Sequence, residues 1–168
     1  KKEASVTDVV YHRVPFHAAS DVLIHDRFMA TPAFGTESEY TSNKDNLYFL
    51  STMRSPTSDY NKYPSGVLFK LDGRALNYKY KGSPTNYWYM PNPDGEQMPI
   101  REMEDRIFLN EPFIESASKY ILEVHIFMEI EKDARFARNL DSHYKQLEQI
   151  VLEAEERNIP YFIYKDGS

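Results

Sequence analysis

The side chains with most chemistry to offer are Glu102 and Glu104, two apart in the run MPIREMEDRIFL at residues 98–109. That run reads as a strand, in which residues two apart project from the same face. Both carboxylates and Arg106 then point one way, with Met103 and Ile107 pointing the other. Two like charges that close raise one pKa unless a cation or a substrate hydroxyl compensates. The pattern fits a pair of acids working on a substrate, and equally a solvated strand face in which Arg106 is the ion-pair partner. A second centre is His12, flanked by Tyr11 and Arg13 at the end of the apolar run VVYHRV. A third is the pair Arg138 and His143.

The elements that position these groups follow from periodicity. Residues 9–14 form a strand that delivers Tyr11, His12 and Arg13, and Pro15 then sits where a helix accepts it. Ala18, Ala19, Val22, Leu23 and Asp26 follow with the three-four spacing of a short amphipathic helix. Residues 31–46, TPAFGTESEYTSNKDN, are rich in turn formers and read as one long loop. Residues 47–51 are a second strand. In residues 66–73, GVLFKLDG, alternating apolar positions give a half-buried strand closed by the turn pair Asp72-Gly73. Residues 76–90, with five aromatics and interleaved lysines, suit strand, loop or both. YILEVHIFMEI at residues 120–130 is the most β-branched strand, residues 134–157 form the clearest amphipathic helix, and residues 161–164 a last short strand. Strand, helix, several strands, helix, strand predicts an α+β fold with a mostly antiparallel sheet.

Composition bounds the function more weakly. At 168 residues and 41% hydrophobic content, one domain over residues 1–168 is expected. Twenty basic against 26 acidic side chains give a net charge of −6, which weakens sequence-independent attraction to nucleic acid or anionic membrane. The absence of cysteine excludes disulfides, thiolate metal sites and a cysteine nucleophile. No run of about 18 apolar residues and no basic-apolar-small leader is present, so a cytoplasmic chain without a membrane partner is expected. His17, His25 and His125 lack further ligands at metal spacing, and surface or packing roles account for them. No metal is expected. Residues 70–81 hold a local excess of three positive charges, which with Tyr78, Tyr80 and Trp88 suits either solvated lysines on an aromatic strand or a grip on bases or pyrophosphate.

Three of these segments resemble a known family in its order. Tyr11-His12 followed by Ala18-Ala19-Ser20-Asp21-Val22-Leu23-Ile24 is similar to the opening of ADP-ribosyltransferase domains of the histidine-containing, diphtheria-toxin-like type, in which Tyr-His-Gly-Thr precedes an Ala-x-x-Ile-Leu helix. Tyr48-Phe49-Leu50-Ser51-Thr52 resembles the second motif, an aromatic strand closed by Ser or Thr. Glu102-Met103-Glu104 resembles the third, the catalytic glutamate on a late strand. Arg13 stands where the family has glycine, and an arginine on the first strand with Ser51-Thr52 on the second resembles the Arg-Ser-Glu branch. No Gly-x-Gly-x-x-Gly occurs, so the resemblance implies NAD bound in a non-Rossmann manner.

The resemblance implies an α+β fold of two small, mostly antiparallel sheets around an NAD cleft with flanking helices. It implies NAD as substrate, release of nicotinamide, and transfer of ADP-ribose to a macromolecular acceptor, protein or nucleic acid, or to water. By motif, Glu104 stabilises the oxocarbenium-like state by hydrogen bonding the adjacent ribose hydroxyl, and Glu102 activates the acceptor. His12 hydrogen-bonds the adenosine-side ribose with Arg13 beside it, Tyr48 or Tyr60 stacks on nicotinamide, and Ser51 supports the glutamate or the amide.

Two rival readings stay open. Arg138-Asn139-Leu140-Asp141-Ser142-His143 resembles the motif of HEPN-type ribonucleases, in which both terminal residues act on a phosphate. On one helix the two side chains would be roughly 140° apart, with His143 on the apolar stripe, so a packed histidine and a solvated arginine explain them as well. The other rival is a non-enzymatic binding module on a degenerate transferase fold.

Overall fold

The computed structural model describes residues 8–32, 47–56, 65–85, 104–130 and 133–165. They form a mixed α/β fold with a main sheet and several helices. The chain divides into two compact units that interleave along the sequence: residues 1–11, 29–60 and 72–114 in the first, residues 12–28, 61–71 and 115–168 in the second.

In the first unit the strands are β3 (Thr31–Pro32), β4 (Tyr48–Met53), β6 (Lys81–Thr85) and β7 (Glu104–Leu109), joined by the opening residues of β1 (Val9–Val14). The order is β1, β4, β7, β6, all antiparallel, and β3 pairs with β4. Leu50, Ile107 and Leu109 face a core that also takes Leu76 from α2 (Gly73–Lys79). Asp72 starts that helix: its Oδ1 accepts from the backbone N–H of Ala75 at 3.0 Å, satisfying one of the donors a helix start leaves open. Asp72-Gly73, expected to be a turn ending a strand, is therefore a helix N-terminus, and residues 76–79, expected as strand or loop, are helical. A strand follows at Lys81–Thr85, and residues 86–90 lie outside the described residues.

In the second unit β5 (Gly66–Asp72), β9 (Ile121–Met128) and β10 (Tyr161–Lys165) lie in the order β10, β9, β5, next to the closing residues of β1. β5 and β9 are antiparallel. β9 and β10 are parallel, as a helical crossover between consecutive strands requires. α1 (Phe16–His25) packs on α4 (Leu140–Glu156). Phe28 and Phe69 meet edge to face at 5.7 Å inside the core, each worth about 1.5–3 kcal/mol of burial. The expected single helix over residues 134–157 is two: α3 (Ala134–Arg138) ends at Asn139, whose amide donates to the Arg135 carbonyl at 3.3 Å, and α4 follows. Asparagine competes for nearby backbone groups in this way. β2 (Arg27–Met29) and β8 (Phe113–Glu115) form a two-stranded ribbon apart from the main sheet. The pairing is mostly antiparallel, as expected.

Gly66 opens β5 at φ 153°, and a Cβ there would stand 3.1 Å from the Val14 carbonyl oxygen. L residues rarely adopt that conformation. Gly66→Ala is therefore expected to destabilise the protein by about 1–3 kcal/mol, read as a lower urea midpoint; an unchanged midpoint would show that β1 and β5 can separate at little cost.

Candidate active site

Register in the first unit builds one row of interest. Across β1, β4, β7 and β6 the aligned residues are Tyr11, Met53, Glu104 and Thr85. The next row is Ser51, Arg106 and Ser83, and the one beyond is Phe49, Phe108 and Lys81. Directly opposed residues share a face, so Tyr11, Ser51 and Arg106 lie on one side, and Glu104 occupies a position in phase with them. Arg106 is nearly buried, its guanidinium carbon 4.0 Å from the centre of the Phe49 ring. Stacking of that kind fixes the plane of the guanidinium. Ser51 and Tyr11 are half-buried, which suits groups that meet a ligand from a firm scaffold.

Tyr48 does not belong to this group. It pairs with Leu109, in the alternate phase to Ser51, and so projects from the other face of β4. That opposite face also carries a feature with no signal in the sequence. Asp105 is fully buried and takes the Arg54 Nε–H at 2.7 Å, while the Thr52 hydroxyl donates to the Asp105 carbonyl. The pair ties β4 to β7 from behind the row that holds Ser51 and Arg106.

His12 and Arg13 belong to the second unit. The His12 ring meets Phe28 edge-on at 5.7 Å. The Arg13 guanidinium carbon lies 5.0 Å from the centre of the Phe127 ring, and burial lowers its pKa from the ordinary value. Arg13 thus packs along the start of β5, its Nε 3.4 Å from where a Cβ of Gly66 would stand. Glu102 and Tyr60 lie outside the described residues.

The paired motif at residues 138–143 has a packing explanation. His143 stacks on Phe136 at 4.3 Å and meets Phe16 edge-on at 5.4 Å, and its Nδ1 lies 2.8 Å from the Asn139 carbonyl oxygen. Arg138 is exposed at the end of α3, on the other side of the break at Asn139. Of the cations at residues 70–81, Lys70 approaches Glu123 at 3.8 Å, Arg74 approaches Asp8 at 3.3 Å, and Lys79 lies over Tyr80 at 5.6 Å. Among the described residues no group of three or more His, Asp or Glu side chains could hold a metal ion, and no helix is long and apolar enough to cross a membrane.

The described strands and helices make a mixed α/β fold that a solved structure shares. A solved structure with this fold is DarT from Thermus sp. 2.9 in complex with carba-NAD+, which superposes with a TM-score of 0.52 at 11% sequence identity, covering 95% of this chain and 96% of that one. At that identity the likeness is one of fold. No family of known sequences matches the chain, and no curated protein does.

Proposed function

We propose that the chain is an NAD-dependent ADP-ribosyltransferase that releases nicotinamide and passes ADP-ribose to a macromolecular acceptor, protein or nucleic acid, or to water. The observation that carries this reading is the likeness in fold, over 95% of the chain, to a protein solved with an NAD analogue. The neighbouring rows that hold Tyr11 and Glu104, and Ser51 and Arg106, support it, because three motif segments distant in sequence fall into adjacent register positions.

The chemistry asks for little more. Cleaving the bond between nicotinamide and ribose develops positive charge on the ribose, and a carboxylate that hydrogen-bonds the neighbouring hydroxyl lowers the barrier by stabilising that charge. Glu104 takes this role, with Ser51 as its support or as a partner of the nicotinamide amide. His12 orients the adenosine-side ribose, as in the histidine-containing type, and Glu102 activates the acceptor. For the ring that stacks on nicotinamide, the register favours Tyr11 over Tyr48, which projects from the opposite face. Arg106 supplies fixed positive charge for the pyrophosphate.

The test is incubation of the chain with NAD labelled on the adenine and a cell extract, followed by mass spectrometry of whatever carries label. Transfer predicts labelled macromolecules together with free nicotinamide. Hydrolysis predicts nicotinamide and free ADP-ribose. Intact NAD after prolonged incubation would contradict the proposal.

A further inference from the structure

One face of the second unit's sheet carries a hydrogen-bonded relay that the roles above do not use. Glu123, His125 and Phe127 alternate along β9 with buried Val124, Ile126 and Met128, and parallel register sets Phe162 beside His125 and Tyr164 beside Phe127. His125 Nε2 lies 2.8 Å from Glu123 Oε1, and its Nδ1 lies 2.9 Å from the Tyr164 hydroxyl. An ionised carboxylate only accepts, so Nε2 carries the hydrogen. In the neutral imidazole Nδ1 is then the acceptor, and the phenol donates to it.

The imidazole has little freedom to turn. It stacks on Phe162 at 5.0 Å with 15° between the planes and lies equally close to parallel with Tyr164, which stacks on Phe127 at 4.9 Å. Lys70 approaches the same Glu123 oxygen at 3.8 Å. Tyr164 is half-buried and stands on β10, the outermost strand of this unit's order. A hydroxyl within hydrogen-bond reach of a base, with the base oriented by a third group, is the arrangement that activates a weak nucleophile. The other described tyrosine on β10, Tyr161, donates instead to the Glu155 carboxylate at 2.7 Å and has no such base.

We propose that Tyr164 accepts ADP-ribose, with His125 as its general base and Glu123 holding His125 in orientation, so that copies of the chain modify one another at this residue. The inference rests on the transferase reading above. In the step the phenolic oxygen forms a bond to the anomeric carbon of the nicotinamide ribose as the bond to nicotinamide breaks. The bonding pair leaves on the nicotinamide nitrogen, which becomes neutral, and the phenolic proton passes to His125 Nδ1.

The experiment incubates the full chain with adenine-labelled NAD and no other acceptor, counts free nicotinamide, and maps the modified peptide by mass spectrometry. One ADP-ribose on Tyr164 is the expected result, absent in Tyr164→Phe and slowed about a hundredfold or more in His125→Gln. Unfolding midpoints of both variants separate lost folding from lost chemistry, and the map of the unaltered chain stands without either. Nicotinamide release with Tyr164 unmodified would overturn this inference and leave the transferase reading standing, as would label on Tyr164 undiminished in His125→Gln for the relay. Absence of both nicotinamide release and label would overturn the two together.

Discussion

Glu104→Gln is expected to slow nicotinamide release from NAD by about a hundred- to a thousandfold while leaving the urea midpoint unchanged. The amide keeps the size and most of the hydrogen-bonding capacity of the carboxylate and removes its charge, so the variant isolates electrostatic stabilisation of the ribose cation from substrate positioning. The backbone of Glu104 is tied on both sides, to Met53 in β4 and Thr85 in β6. A neutral isostere therefore has no reason to disturb the sheet. NAD affinity is expected to fall much less than the rate, because the interaction strengthens only as positive charge develops. Release within threefold of the unaltered chain would remove Glu104 from the chemistry.

Arg54→Met is expected to cost about 3 kcal/mol of stability, the largest effect on folding anticipated for a polar residue in the described sheet. Asp105 is fully buried, and the Arg54 side chain, 24% exposed, is its ion-pair partner at 2.7 Å. Removing the cation keeps the desolvated acid in place and takes away a charge that offsets its burial. Replacing both, in Asp105→Leu with Arg54→Met, is expected to recover most of the loss, since an apolar pair of similar volume is often no less stable than a buried ion pair. Urea unfolding of the two single variants and the double gives the coupling directly. Additive losses would mean that the two side chains stabilise β4 and β7 independently.

The strands and helices that carry their own apolar period were legible in the sequence: β1, α1, β4, β5 and β9 all lie within a few residues of where alternation or three-four spacing put them. What was not legible depends on partners far along the chain. β2, β3 and β8 are two or three residues long, too short to show a period, and exist because another strand supplies their hydrogen bonds. Asp72-Gly73 is chemically as good a helix start as a turn, and only the capped Ala75 amide distinguishes them.

The candidate site divides in the same way. Ser51 and Glu104 could be picked out by motif, and their adjacency follows from the antiparallel register of β4 and β7, which no local pattern encodes. Tyr48 was picked out with Tyr60 by motif and residue type, and the alternation of side chains along β4 puts it on the face opposite Ser51. The Arg54–Asp105 pair spans 51 positions, and no local pattern joins the two. His125, expected in a surface or packing role, has nitrogens that meet Glu123 and Tyr164 across two neighbouring strands.

On the proposed function, this chain cleaves NAD at the nicotinamide bond with Glu104. Chromatographic measurement of nicotinamide released by the unaltered chain and by Glu104→Gln, in parallel and with the same NAD, tests it most directly. Steady release by the first and loss of nearly all of it in the second are expected. NAD recovered intact from both, or nicotinamide released equally by both, would contradict it.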